Sequence, residues 1–85
     1  MNTKMYVGNL PLDVNEMELR ELFATHGQVD DVALIMDRET GRPRGFAFVT
    51  MNGKNEMESA IGALHGMTFK SSILVVNEAR DRGNR

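Results

Sequence analysis

The chain has 85 residues, a net charge of −2 and no cysteine. That length allows one domain with a thin core, and the lack of cysteine excludes disulfides and thiolate metal sites. No long apolar run opens the chain, so neither a signal peptide nor a membrane span is predicted, and a cytoplasmic protein is expected.

Met5-Tyr6-Val7 leading into Gly8 is a short strand signal, and Pro11 breaks it. Alternation puts Met5 and Val7 on one face and Lys4, Tyr6 and Gly8 on the other. Asn15 with Glu18 three residues later is a capping-box pattern, and Val14 and Leu19 are spaced for a hydrophobic staple across it. Leu19, Leu22, Phe23 and His26 follow at helical spacing, which places His26 on the apolar side of this helix as a packed residue, and Gly27 is the stop.

Val29 to Met36 reads as the second strand, with Val32, Leu34 and Met36 inward. Asp37 to Pro43 is a polar, turn-rich loop. A third strand runs from Arg44 to Met51. A second helix starts between Gly53 and Glu56, carries Met57, Ala60, Ile61 and Leu64, and ends at Gly66 with His65 as a capping residue. Ile73 to Asn77 is the last strand, with Leu74 and Val76 as its core pair. The resulting order, β-α-β-β-α-β, is the α+β ferredoxin-like arrangement: a four-stranded antiparallel sheet with two helices on one face. Residues 1–80 are expected to form the single domain and residues 81–85 a short polar tail.

The third strand, Arg-Gly-Phe-Ala-Phe-Val-Thr-Met, is the most informative stretch. Phe46 and Phe48 share one face with Arg44, while Ala47, Val49 and Met51 share the other and suit a core. Putting the rings inside would turn Met5, Val7, Ala47, Val49 and Met51 outward, a worse surface. Two rings and a cation on an open sheet make a stacking surface for unpaired bases. The net charge lacks the basic balance usual in nucleic-acid binders, but its distribution compensates. Asp13, Glu16, Glu18, Glu21, Glu56 and Glu58 fall on or beside the helices, and Lys4, Arg38, Arg42, Arg44, Arg80, Arg82 and Arg85 fall on strands, loop and tail.

With that order of elements, residues 44–51 resemble the longer ribonucleoprotein motif of the RNA-recognition-motif family, [KR]-G-[FY]-[GA]-F-V-x-[FY]. Met5-Tyr6-Val7-Gly8-Asn9-Leu10 resembles its shorter partner motif, and the likeness extends from Met5 to Ala79. The short Arg/Gly-containing tail is similar to that of small single-domain bacterial RNA-binding proteins. The resemblance implies that the two motif strands lie side by side, that Tyr6 and Phe48 stack successive bases, and that Phe46 inserts between the two riboses. Arg44 suits the linking phosphate. It also implies base contacts from the end of the last strand, at Asn77, Ala79 and Arg80. Lys4 reads either as a phosphate contact or as a solvated lysine. Arg38 and Arg42 read either as a clamp on RNA or as part of a mobile loop, and Asn9 either braces its turn or meets RNA. Two departures stand out. Met51 replaces the usual aromatic, and Lys70-Ser71-Ser72 replaces a glycine-arginine turn, which predicts a looser turn there.

The expected function is single-stranded RNA binding, with single-stranded DNA as a further ligand, by a monomer without cofactor or catalysis. Chaperone and post-transcriptional regulatory roles would both use this surface. Acylphosphatases share the fold but need an arginine after the first strand, where Gly8 to Asp13 has no basic residue. His26 and His65, on separate helix ends, make no metal site. The alternative is a protein-binding variant that uses the acidic first helix.

Overall fold

The computed structural model describes residues 3–79. Strand β1 (Lys4–Gly8) is followed by α1 (Glu16–Ala24), β2 (Val29–Met36), β3 (Pro43–Met51), α2 (Lys54–Leu64), β4 (Thr68–Phe69), β5 (Ser72–Ile73) and β6 (Val75–Glu78). The main sheet is antiparallel with strand order β2-β3-β1-β6, and β4 and β5 form a separate two-stranded ribbon. The two motif strands are therefore the central pair.

The helix signals work as their chemistry requires. The Asn15 side chain accepts from the Glu18 N–H at 2.8 Å, and the Glu18 carboxylate accepts from the Asn15 N–H at 3.1 Å, closing the capping box. Val14 and Leu19, on either side of the cap, are both buried. Helix α1 stops at Ala24 with Thr25 as its C-cap. His26 thus lies in the turn beyond the helix, half-buried, and not on its apolar side. Past the cap the chain tightens into three-residue turns, with the His26 N–H donating to Phe23 O at 2.9 Å, and Gly27 follows at a φ of 150° that favours glycine.

The core lies between the sheet and the helices. Met5 and Val7 from β1, Ala47, Val49 and Met51 from β3, Leu19 and Phe23 from α1, and Met57, Ala60 and Leu64 from α2 are all essentially inaccessible. Leu74 and Val76 are buried as expected. Met36 is not: it is 46% exposed. The β2–β3 register shifts between Leu34 and Met36, and this irregularity takes the end of β2 off the packing face.

The end of the chain differs from expectation in a second way. The last sheet strand begins at Val75, and Ile73 belongs to the ribbon and is 57% exposed. Between β4 and β5, Lys70 and Ser71 both take positive φ, at 51° and 73°. That is the pattern of a tight two-residue I′ hairpin turn, so the connection is not loose. His65 caps α2 and does more: its Nδ1 accepts from the Val76 N–H at 3.1 Å. This satisfies an outward-facing donor of edge strand β6. His65→Ala strands that donor and is expected to lower stability by about 1–2 kcal/mol, measured by urea denaturation, with no change in the unfolding slope. Unchanged stability would mean that the imidazole contributes nothing to holding β6.

Candidate nucleic-acid interface

Both helices pack on one face of the sheet, which leaves the other face open. Across it, antiparallel register lines up residues from all four strands. One row reads Asn77, Tyr6, Phe48, Ala33, and the row beside it reads Lys4, Thr50, Asp31. Asn77 and Tyr6 are exposed, while Phe48 and Ala33 are partly so. On the far side of Tyr6, Gly8 pairs with Val75. The rings thus stand among Lys4, Thr50 and Asn77 on a face that neither helix covers.

The three rings form one cluster. Tyr6 and Phe46 are stacked at 5.9 Å with 28° between their planes. Phe48 meets Tyr6 at 6.0 Å and 65°, and Phe46 at 6.0 Å and 87°, both edge-on. These are favourable aromatic geometries. Because the rings shield one another, Phe46 and Phe48 are half-buried where alternation alone predicts open exposure, and only Tyr6 reaches 36%. The Lys4 ammonium stands 5.4 Å from the Phe48 ring centre, a cation–π contact that keeps a positive charge at the platform's edge.

The surrounding groups are placed by ordinary backbone chemistry. Gly45, at φ 97°, is a conformation favoured by glycine, and its carbonyl accepts from the Leu10 N–H at 2.9 Å. That bond ties the turn after β1 to the start of β3. The kink also breaks strict alternation between Arg44 and Phe46. Arg44 is exposed, and its charge helps to lower the Asp37 carboxyl below its ordinary range. The larger causes of that lowering are hydrogen bonds from the Glu39 and Thr40 N–H groups. With Asp37 N–H donating to Arg42 O at 2.7 Å, these bonds organise the β2–β3 loop, and Arg38 and Arg42 sit exposed on an ordered turn. Asn9, at φ 58°, donates through its amide to Ile73 O at 2.7 Å, so it braces the turn after β1 against the ribbon. Arg80 lies outside the described residues.

The acidic helix side is partly paired with basic side chains. Lys70 Nζ lies 2.9 and 2.7 Å from the two Glu18 carboxylate oxygens and 3.8 Å from Asp13. Glu16 faces Arg20 at 3.7 Å, and Glu58 faces Lys54 at 4.0 Å. The Lys70 hydrogen bond, followed by the Asn15 N–H, holds the Glu18 carboxyl below the usual glutamate range, and Glu18 in turn raises Lys70. A lowered carboxyl contributes stability that is present above its unfolded value and lost as pH falls through the folded one. The raised ammonium contributes below the ordinary lysine range and loses that contribution as pH rises through its folded value. Lys70→Met is therefore expected to be less stable than the parent at pH 7, with the gap closing by pH 3 in parallel urea titrations. A gap that persists at pH 3 would assign the loss to lysine packing.

Residues 5–75 match the RNA recognition motif. This chain belongs to that family. Among curated RNA-recognition-motif relatives, the putative RNA-binding protein RbpA of Synechocystis sp. is 48% identical over 81 residues, covering 95% of this chain and 80% of its own length. The chloroplastic 28 kDa ribonucleoprotein of Spinacia oleracea is 48% identical over 82 residues, 96% of this chain but 35% of its own length, so this chain spans about a third of that relative. The solved Sxl-lethal protein/RNA complex superposes with a TM-score of 0.90 at 33% identity, covering 95% of this chain and 48% of that one. The ring-bearing strands and the two-helix layer are thus the recognition-motif architecture, with β1 and β3 at its centre.

Three features lie outside the sequence reading. Ala33 completes the central row, and its signal was available: if Val32 and Leu34 face inward, Ala33 faces out. The ribbon and the Lys70 latch carry no such signal, because two-residue strands fall below any periodicity.

Proposed function

We propose that this chain binds single-stranded RNA on its open sheet face and performs no catalysis. The observation that carries the reading is the cluster of Tyr6, Phe46 and Phe48, uncovered by either helix and bordered by Lys4. Bases stacked in a helix rise about 3.4 Å per step. Tyr6 and Phe48 lie 6.0 Å apart, so they receive consecutive bases only from a strand whose bases are unstacked from each other. Tyr6 and Phe48 each stack a base, Phe46 contacts the sugars between, and Arg44 with Lys4 meets phosphate. Asn77, in register with Tyr6, supplies an amide at the edge of the base stacked there. Arg38, Arg42 and Arg80 extend the contact along the backbone.

Two stacks and one or two phosphate contacts sum to roughly 4–8 kcal/mol before association costs, so a target of a few nucleotides bound weakly is the natural scale. Such a module works as a monomer, with residues 1–80 as its unit and 81–85 as an appended polar tail, in the cytoplasm. RNA chaperoning and post-transcriptional control both fit weak, sequence-tolerant binding, and single-stranded DNA offers the same π-faces. Glu16, Glu18 and Glu58 are each paired with a basic side chain, which reduces the negative charge offered to a helix-side peptide contact. Titration with random-sequence single-stranded RNA, followed by NMR, is expected to shift Tyr6, Phe46, Phe48 and Asn77 together. A titration that leaves these four residues unshifted overturns the reading.

A further inference from the structure

The Tyr6 ring lies back along its own strand. A Cβ built on Gly8 stands 2.6 Å from the Tyr6 hydroxyl oxygen, 2.7 Å from Cε2 and 2.9 Å from Cζ. Carbon atoms in contact sit about 3.5–4.0 Å apart, so no side chain fits at residue 8 while the ring holds this position. Gly8 shows no positive φ, so its conformation does not call for glycine. Its place in the β1–β6 pairing is regular, opposite Val75. What glycine provides here is space above the backbone, and the ring fills it.

We infer that Gly8 is the positioning residue of the base platform: its missing side chain lets the Tyr6 ring lie down over β1 and join Phe46 and Phe48 as one surface. A methyl group at residue 8 moves the ring and not the strand. The clashing atoms are the far end of a side chain with two rotatable bonds, while the backbone is held by β3 on one side and β6 on the other. The ring has no room to slide sideways, since Phe46 and Phe48 already stand 5.9 and 6.0 Å away. It swings off the sheet instead, and its stacking face leaves the platform. This inference rests on the sheet-face reading of RNA binding and adds a residue to it that touches the ligand only through Tyr6.

The chain contains one tyrosine and no tryptophan, so its intrinsic fluorescence reports this ring alone. The test compares the parent, Gly8→Ala, Tyr6→Ala and the double variant, using a random-sequence single-stranded RNA octamer pool. Anisotropy of the labelled pool reads affinity, and tyrosine quenching by the unlabelled pool reads stacking. Gly8→Ala is expected to stay folded and to melt within roughly 5 °C of the parent, since what yields is a surface ring and not the strand. It is expected to bind about tenfold more weakly, with reduced quenching at saturation. In the Tyr6→Ala background the same substitution is expected to change affinity by less than twofold.

Parent-like affinity and quenching in Gly8→Ala overturn the inference. So does an equal loss in the Tyr6→Ala background, which would mean that the methyl group blocks RNA directly. Failure of Gly8→Ala to fold overturns it as well, because the strand would then be what yields. If Tyr6→Ala itself binds like the parent, the sheet-face reading falls, and this inference with it.

Discussion

Phe46→Ala/Phe48→Ala is expected to weaken binding of a short single-stranded RNA by roughly 30- to 1000-fold, corresponding to the loss of about 2–4 kcal/mol of stacking and sugar contact. The domain should stay folded. Both rings lie on the face away from the core, and their neighbours on β3, Ala47 and Val49, are fully buried and untouched. Far-UV circular dichroism and a melting curve check the fold, and fluorescence anisotropy at about 0.15 M salt checks the binding. Glu21→Lys on α1 is the companion variant and is expected to bind RNA within threefold of the parent. A double variant that binds within threefold would remove the aromatic cluster from the interface. A loss in Glu21→Lys with none in the double variant would move the interface to the helix side.

The largest effect on stability is expected at Phe23. Its side chain is the largest of those fully buried, at 0% exposure, and it projects from the last turn of α1 into the core against the sheet. Phe23→Ala removes the whole phenyl ring and leaves a cavity in a single-layer core, at a cost of about 3–5 kcal/mol. A chain of this length holds roughly 4–13 kcal/mol in total, so the variant is at the edge of folding. The urea midpoint is expected to fall by about 2–4 M at an unchanged slope near 1–1.5 kcal/mol/M. A fall under 1 M would show that the neighbours, the flexible Met5, Met51 and Met57 among them, close the gap.

Much of this molecule was legible in the chain because its signals are local and periodic. Two-residue alternation from Phe46 to Met51 assigned each side chain of β3 to a face, and the Asn15–Glu18 spacing located the start of α1 to the residue. The misses share a cause. Met36 is outward because a register shift is a property of two strands at once. Ile73 is in a ribbon whose anchor lies far along the chain, the Asn9 amide donating to Ile73 O at 2.7 Å. His65 read as a helix cap, and its bond to Val76 depends on where β6 lies. At the site, the identities of the rings were plain, but their mutual shielding was not, since ring-to-ring distance depends on register and rotamer together. Alternation places Gly8 on the same face as Lys4 and Tyr6 and says no more of it. Only the lie of the Tyr6 ring gives it a purpose.

The two borders of the sheet carry one more consequence. On β2 the register slips between Val29 and Asp31, and Asp30 and Asp31 stand exposed beside that irregularity. On β6 the outward N–H of Val76 is taken by His65, and Leu74 is bonded on both its N–H and its carbonyl to the segment before β4. Neither border offers a clean ladder for another strand. A sheet with an open aromatic cluster that could also grow sideways would seed assemblies of itself whenever copies were crowded. The interruptions at these two margins work against edge-to-edge pairing between copies of this chain while leaving its aromatic face open.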